Sequence, residues 1–237
     1  MDVTGYTTLT RQSGLLREMQ IIANNIANAN TTGFRQEGMI FSEYVQSAPG
    51  GPSVSMASGN VRNTSLAQGA LTSTGSQLDF AIEGDGFFLV DTPNGQRMTR
   101  AGNFSRSAEG ELVTSQGHRV LGVGGAPLFI PPDAGTVDLG RDGSLSASGR
   151  LIGQIGLVQP ADPSDLTRET GLLFRTEAGI EPVLEGKVVQ GFLESANVNP
   201  ILQFARMVEV QRAYELGQSF LDAENERLRT TLDGLTK

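Results

Sequence analysis

Apolar residues recur with two different periods along this chain, and the change from one to the other divides it. Near the amino end Leu15, Met19, Ile22 and Ile26 follow a 4-3-4 spacing, while Leu9, Leu16 and Ala23 recur every seven residues. Such spacings gather on one side of a 3.6-residue helix, so they predict a helix over roughly 4–28 with one broad apolar stripe. Arg11, Arg17 and Glu18 lie off the 15–19–22–26 seam, and Gly5 and Gly14 weaken the first turns, as suits a segment that orders late. At the other end Met207, Tyr214, Leu221, Leu228 and Leu235 repeat strictly every seven, with Val210 in the complementary position. That is a coiled-coil seam on a helix over 200–237. Its complementary row continues through Gly217, Glu224 and Thr231, so several neighbours are expected to share the contact. Asn199 is suited to cap this helix and Pro200 to open it.

Between the ends the helical period disappears. All ten prolines fall between Pro49 and Pro200, and 26 of the 30 glycines between Gly33 and Gly191. Both residues break helices, so the ends can be long helices and the middle cannot. Residues 35–68, with Pro49-Gly50-Gly51-Pro52 and an uncharged Ser-rich run, read as an extended connection. From Gly69 short apolar runs alternate with turn signals: Leu78–Ile82, Phe87–Val90, then Asn94-Gly95 as a hairpin turn, Arg97–Arg100, Leu112-Val113, Arg119–Leu121, Leu128–Ile130, Val137–Leu139 and Leu151–Val158. Turns every 8–12 residues predict an all-β middle. The fold class is therefore α+β, with a mainly antiparallel β middle between two terminal helices. Its segments are 1–34, 35–68, 69–199 and 200–237.

Composition narrows the functions available. The formal charge is −8, which argues against nucleic acid and against an electrostatic grip on anionic lipid, since both need clustered Lys and Arg. With no cysteine, disulfides, thiolate nucleophiles and Cys-bound metals are excluded. The start Met1-Asp2-Val3-Thr4-Gly5-Tyr6 lacks the basic and apolar regions of a secretory signal, and no apolar run reaches membrane-spanning length. Any export is expected to use a route that reads no cleavable signal. His118 is the single histidine and follows Gly117 in a turn pattern, a poor setting for a triad. Gly122-Val123-Gly124-Gly125 lacks the Lys-Ser/Thr pair and helix of a phosphate loop. Glu83 and Asp85 flank Gly84; as paired acids they would suit a glycosidase acting on peptidoglycan, the rival reading. A carbohydrate-binding β domain over 69–195 is a third. Neither has a motif behind it, and no catalytic, cofactor or metal residue is assigned.

One run carries more information than composition does. Ala23-Asn24-Asn25-Ile26-Ala27-Asn28-Ala29-Asn30-Thr31-Thr32-Gly33-Phe34 places four asparagines and two threonines in twelve positions. It resembles the Ala-Asn-Asn-Leu-Ala-Asn-x-x-Thr-x-Gly-Phe signature of bacterial flagellar rod and hook proteins, with Ile26 where the family has Leu. Gly69–Thr72, Leu78–Phe88, Thr99–Phe104, Gly110–Thr114 and Gly117–Gly122 are similar to that family's central segments. Gly191–Asn199 resembles its Leu-Glu-x-Ser-Asn-Val run with Ser and Ala exchanged in order, and Gln211-Arg212-Ala213-Tyr214-Glu215 resembles its C-terminal helix.

The resemblance spans the chain and implies a structural subunit of the flagellar basal-body rod, with no enzymatic activity. Hook proteins are much longer, and the distal-rod member has a longer insertion than 47–68 here, so a proximal-rod member is expected, with a distal-rod or hook-type axial subunit as the alternative. By resemblance the terminal helices pack into a coiled-coil layer lining the rod. Assembly residues would be Leu15, Met19, Ile22, Asn24, Asn25, Ile26, Asn28, Gly33 and Phe34 at one end and Met207, Val210, Tyr214, Leu221, Leu228 and Leu235 at the other. Implied partners are further copies, other rod proteins, and the flagellar type III export apparatus.

Overall fold

The two helices form where the periodicity is uninterrupted by proline. In the computed structural model, which describes residues 3–46, 54–169, 171–183 and 186–235, α1 spans Val3–Ala27 and α2 spans Pro200–Leu235. Asn199 caps α2: its side-chain Oδ1 accepts the N–H groups of Ile201 (3.1 Å) and Leu202 (3.2 Å), and Pro200 takes the first helical position. The chain divides into two compact units. One holds α1, α2 and residues 37–63; the other holds residues 28–36 and 64–198.

In the first unit the helices lie antiparallel. Asn25 meets Gln203, Glu18 meets Arg206, and Gln12 meets Tyr214. Leu15, Ile22 and Val210 are buried between them, with Met19, Ile26, Met207, Ala213 and Tyr214 packed around. The row Leu9, Leu16, Ala23 behaves differently from the single broad stripe expected of it. Leu16 sits about 100° round the helix from Leu15, and one partner helix covers only one of the two rows. Leu9 is left 54% and Leu16 43% exposed. The connecting segment contains two paired strands, β1 (Glu37–Gln46) and β2 (Val54–Thr64); residues 47–53 lie outside those described.

The second unit is a body of short antiparallel strands, as the turn spacing predicts. Its centre is β5 (Phe87–Thr92), between β4 (Phe80–Glu83) and β6 (Gly95–Thr99) in the chain. β5 pairs with β6, with Arg119–Val120 and with Leu157–Pro160 in one nine-stranded sheet. A strand buried on both faces reads as an unbroken apolar run, and Phe87–Val90 is one. Phe88 and Val90 join Phe80, Phe104 and Leu112 in the larger core; Phe87 and Leu89 join Met98, Leu121 and Phe174 in the smaller. Phe88 and Phe104 meet edge-on at 5.1 Å. The β5–β6 corner is Pro93-Asn94 with Gly95 already paired opposite Thr92, one residue earlier than the Asn-Gly signal placed it. Proline fixes φ at the first corner position, which decides the register. β3 (Leu71–Ser73) pairs with Phe192–Glu194, and β4 with Lys187–Gln190, so the end of the body returns to its beginning.

Candidate assembly site

Each expected assembly residue except Leu235 has a definite side-chain setting. On α1, Leu15 and Ile22 are buried and Met19 and Ile26 half-buried on the seam. Asn24 is exposed, whereas Asn25, its neighbour, is buried. The Asn25 side chain acts as a piece of backbone: its Nδ2 donates to Glu37 O at 2.7 Å while Glu37 N–H donates to its Oδ1 at 3.0 Å. Nδ2 also reaches Gln203 Oε1 at 3.2 Å. One asparagine thereby ties the end of α1 to the start of β1 and to α2. On α2, Val210 is buried, Met207, Tyr214 and Leu221 are half-buried, and Leu228 is 48% exposed. The side chain of Leu235 lies outside those described.

Periodicity alone passed over three polar residues on this seam. Glu18 lies off the apolar positions yet is buried, accepting from Arg206 at 2.7 Å. Gln203 receives Asn25. Gln12 donates from Nε2 to Tyr214 O at 2.9 Å, while its buried Oε1 has no partner among the described residues. Gln12 fits because residue 217 is glycine: a Cβ there would lie 2.1 Å from Gln12 Nε2. A groove of about 410 Å³ opens beside it, lined by Thr8, Leu15, Leu216 and Phe220 among others.

The remaining signature residues belong to the body. After Asn28, whose Oδ1 accepts the Thr31 hydroxyl at 3.2 Å, the chain turns and Gly33 adopts φ +70°. A Cβ on Gly33 would come within 2.4 Å of Ala101 N. Both the left-handed backbone and the close approach therefore require glycine. Gly33 N–H donates to Glu194 O at 2.7 Å, Asn197 N–H to Phe34 O at 3.3 Å, and Gln36 N–H to Asn197 Oδ1 at 2.5 Å. The two runs that resemble the family signature near either end are therefore direct neighbours. In the exchanged Ser-Ala order, Ser195 N–H donates to Ala70 O at 2.8 Å and its hydroxyl meets Thr72 Oγ1 at 3.2 Å. Phe34 is buried beneath Arg168, whose guanidinium stands 4.3 Å from the ring centroid.

Next to Phe34 lies a charge cluster that no periodicity indicates. Glu194 pairs with Arg100 Nε and, at 3.1 Å, with Arg35 Nη1, and it accepts Gly69 N–H at 2.8 Å. All three side chains are at least 97% buried. Arg100 also donates to the carbonyls of Ile82, Gly84 and Gly86, holding the β4–β5 turn. Arg35 donates to Ala67 O, and its Nε has no partner among the described residues. Burial pulls the Arg35 guanidinium down to about 10; Glu194 opposes the shift and Arg100 adds to it. The carboxylates of the rival reading, Glu83 and Asp85, are exposed on this same anchored turn. His118 is half-buried in a turn closed by Gly117 N–H donating to Thr114 O at 2.9 Å.

Three family descriptions match segments of the chain. The family described as "Flagella basal body rod protein" matches residues 6–35. "Flagellar hook protein FlgE/F/G D1 domain" matches 81–147, and "Flagellar basal body rod FlgEFG protein C-terminal" matches 189–234. The chain is 41% identical to the flagellar basal-body rod protein FlgF of Caulobacter vibrioides over all of its own length and 99% of that protein's. Against FlgF of Mesorhizobium japonicum identity is 43%, covering 89% of this chain and 88% of the other. Against FlgG of Bacillus subtilis it is 32%, covering 94% and 96%.

Proposed function

This chain belongs to the flagellar basal-body rod protein family, and from that premise we propose how its parts serve a rod. It is a structural subunit located in the basal body of the flagellum, it associates with other rod components, and it is not an enzyme. Its position is the proximal rod, on the short connecting segment and on identities of 37–43% to proteins named FlgF against 32% to one named FlgG.

The terminal helices form the coiled-coil layer of that rod, and the subunit reaches it through the flagellar export apparatus. The observation that carries this reading is the division of each helix into a covered and an uncovered apolar side. Leu15, Ile22 and Val210 are closed off within the chain, whereas Leu9, Leu16, Phe204, Val208 and Leu216 are not, and Leu228 is left open further along the Val210 side. Apolar rows left open on a folded subunit mark contacts with neighbours. Heterologous contacts that fail to close into a ring generate a filament.

Leu228→Asp tests the reading, because that side chain is nearly half exposed in the isolated chain. The variant is expected to keep its fold by circular dichroism, to be missing from isolated basal bodies, and to leave cells non-motile. A motile strain with normal incorporation overturns the proposal.

A further inference from the structure

The contact ladder between the helices fixes how far α2 outruns α1. Asn25 lies opposite Gln203, Glu18 opposite Arg206 and Gln12 opposite Tyr214, so each step down α1 is matched by a step up α2. By that register Val3, where α1 starts, falls opposite about residue 223, and the last dozen residues of α2 extend about 18 Å beyond it. The seam does not stop there. Val210, Gly217, Leu221, Leu228 and Leu232 follow one side of α2, buried at the first and opening to 48% at Leu228 and 62% at Leu232.

We propose that this overhang is covered by α1 of a second copy, through the row Leu9, Leu16, Ala23 that its own α2 leaves open. The inference rests on the rod reading above and names which surfaces meet. Three observations support it. The overhang continues an interface whose occupant, within the chain, is already α1. The two rows share a seven-residue repeat, Leu221–Leu228 running from the half-buried seam into the overhang against Leu9–Leu16–Ala23, so their side chains interdigitate along the contact. The charges are also complementary. Residues 224–235 carry Glu224, Glu226 and Asp233 against Arg227 and Arg229, while α1 carries Arg11 and Arg17 against Glu18. The contact is heterologous: each copy offers an overhang to one neighbour and an outer row to another, and the chain of contacts stays open-ended.

The absence of cysteine makes the test clean. In one chain Leu16 lies opposite about residue 210, some 27 Å along the helix from Leu228, far beyond the reach of a disulfide. A bond between Cys introduced at 16 and 228 therefore joins two copies. Full-length Leu16→Cys/Leu228→Cys protein in isolated basal bodies is oxidised and separated without reductant. Bands at dimer and above in the double variant, with monomer in each single variant, are the expected result. Incorporated protein that gives no band above monomer overturns the contact and leaves the rod reading standing. Dimer alone, present in a single variant too, indicates a symmetric contact and also overturns it; a band joined to a different rod protein does the same. If the apolar replacements block incorporation, Ser13→Cys/Asn225→Cys uses exposed polar positions flanking the same two rows. Absence of that variant, and of the unsubstituted chain, from basal bodies would instead refute the rod reading.

Discussion

Replacing Glu194 by glutamine removes the one anion from a buried cluster that holds two guanidiniums. Arg35, Arg100 and Glu194 are each almost wholly shielded from water, so screening does not soften the change. Breaking a buried pair by deleting one charge costs about 3–5 kcal/mol, because the surviving ion is left uncompensated. Glutamine keeps an oxygen for Gly69 N–H, which holds the loss within that range. Arg35→Met is the informative contrast. It forfeits the bond to Ala67 O and one ion pair, yet leaves Arg100 and Glu194 matched and removes the guanidinium whose burial is least well compensated. A charged hydrogen bond is worth about 1.5–3 kcal/mol, and the relief of desolvation offsets part of it. With roughly 2–4 °C per kcal/mol for a chain of this size, Glu194→Gln should lower the melting temperature by about 6–20 °C and Arg35→Met by clearly less. The double variant should be more stable than the sum of the two losses implies, since the sites share one network. Thermal and urea unfolding of the full chain by circular dichroism measures all three. Arg35→Met proving as damaging as Glu194→Gln would refute the argument that the cluster carries one positive charge too many.

Gly33→Ala should destabilise the body by more than the 1–2 kcal/mol of a left-handed backbone alone, because its Cβ meets main chain at Ala101 rather than a yielding side chain; a loss below about 1 kcal/mol in urea unfolding counts against that. The Asp165 carboxylate accepts Ala178 N–H at 2.8 Å, the Thr176 hydroxyl at 2.7 Å and Glu177 N–H at 2.5 Å, which holds its pKa below the ordinary aspartate value. Its contribution to stability is therefore complete above about pH 3.9 and disappears as pH falls through the lowered folded value. Asp165→Asn should flatten that acid limb of the urea midpoint against pH, and an unchanged slope would exclude the role.

Much of this architecture is legible in the sequence because its signals are local. Pro200 after Asn199 states where α2 begins, and the unbroken Phe87–Val90 run announces a strand buried on both faces. What the sequence leaves hidden is long-range and polar. Arg35 follows Gly-Phe and Glu194 follows Phe-Leu, but nothing in either run says that a residue 159 positions away supplies the counter-charge. Asn25 and Asn24 are adjacent and chemically identical; only the arrival of the Glu37 backbone makes one buried and the other exposed. The Leu9–Leu16–Ala23 row is visible as periodicity, yet whether a stripe is covered depends on how many helices are available, and the sequence of one subunit does not contain that number. Gln12 is the converse case. A glutamine beside Arg11 looks like solvent-facing decoration until Gly217 is known to face it.

The polar residues on the helix seam decide position more than strength. Leu15, Ile22 and Val210 are its fully buried apolar members, while Asn25–Gln203, Glu18–Arg206 and Gln12–Tyr214 tie it at three levels. An apolar seam with a seven-residue repeat tolerates a shift of one repeat at little loss, because leucine again faces leucine. A polar tie does not. Sliding α2 by seven residues would take Gln203 away from the buried Asn25 amide, leave Glu18 buried without Arg206, and drive Gln12 into a residue that has a side chain in place of Gly217. Each of those costs a buried polar group its partner, about 1–3 kcal/mol apiece and more for the charge. The same slide would change the length of α2 beyond α1 by about 10 Å. In a subunit whose overhang meets the next copy, the residues that lock register inside one chain thereby set the spacing between chains.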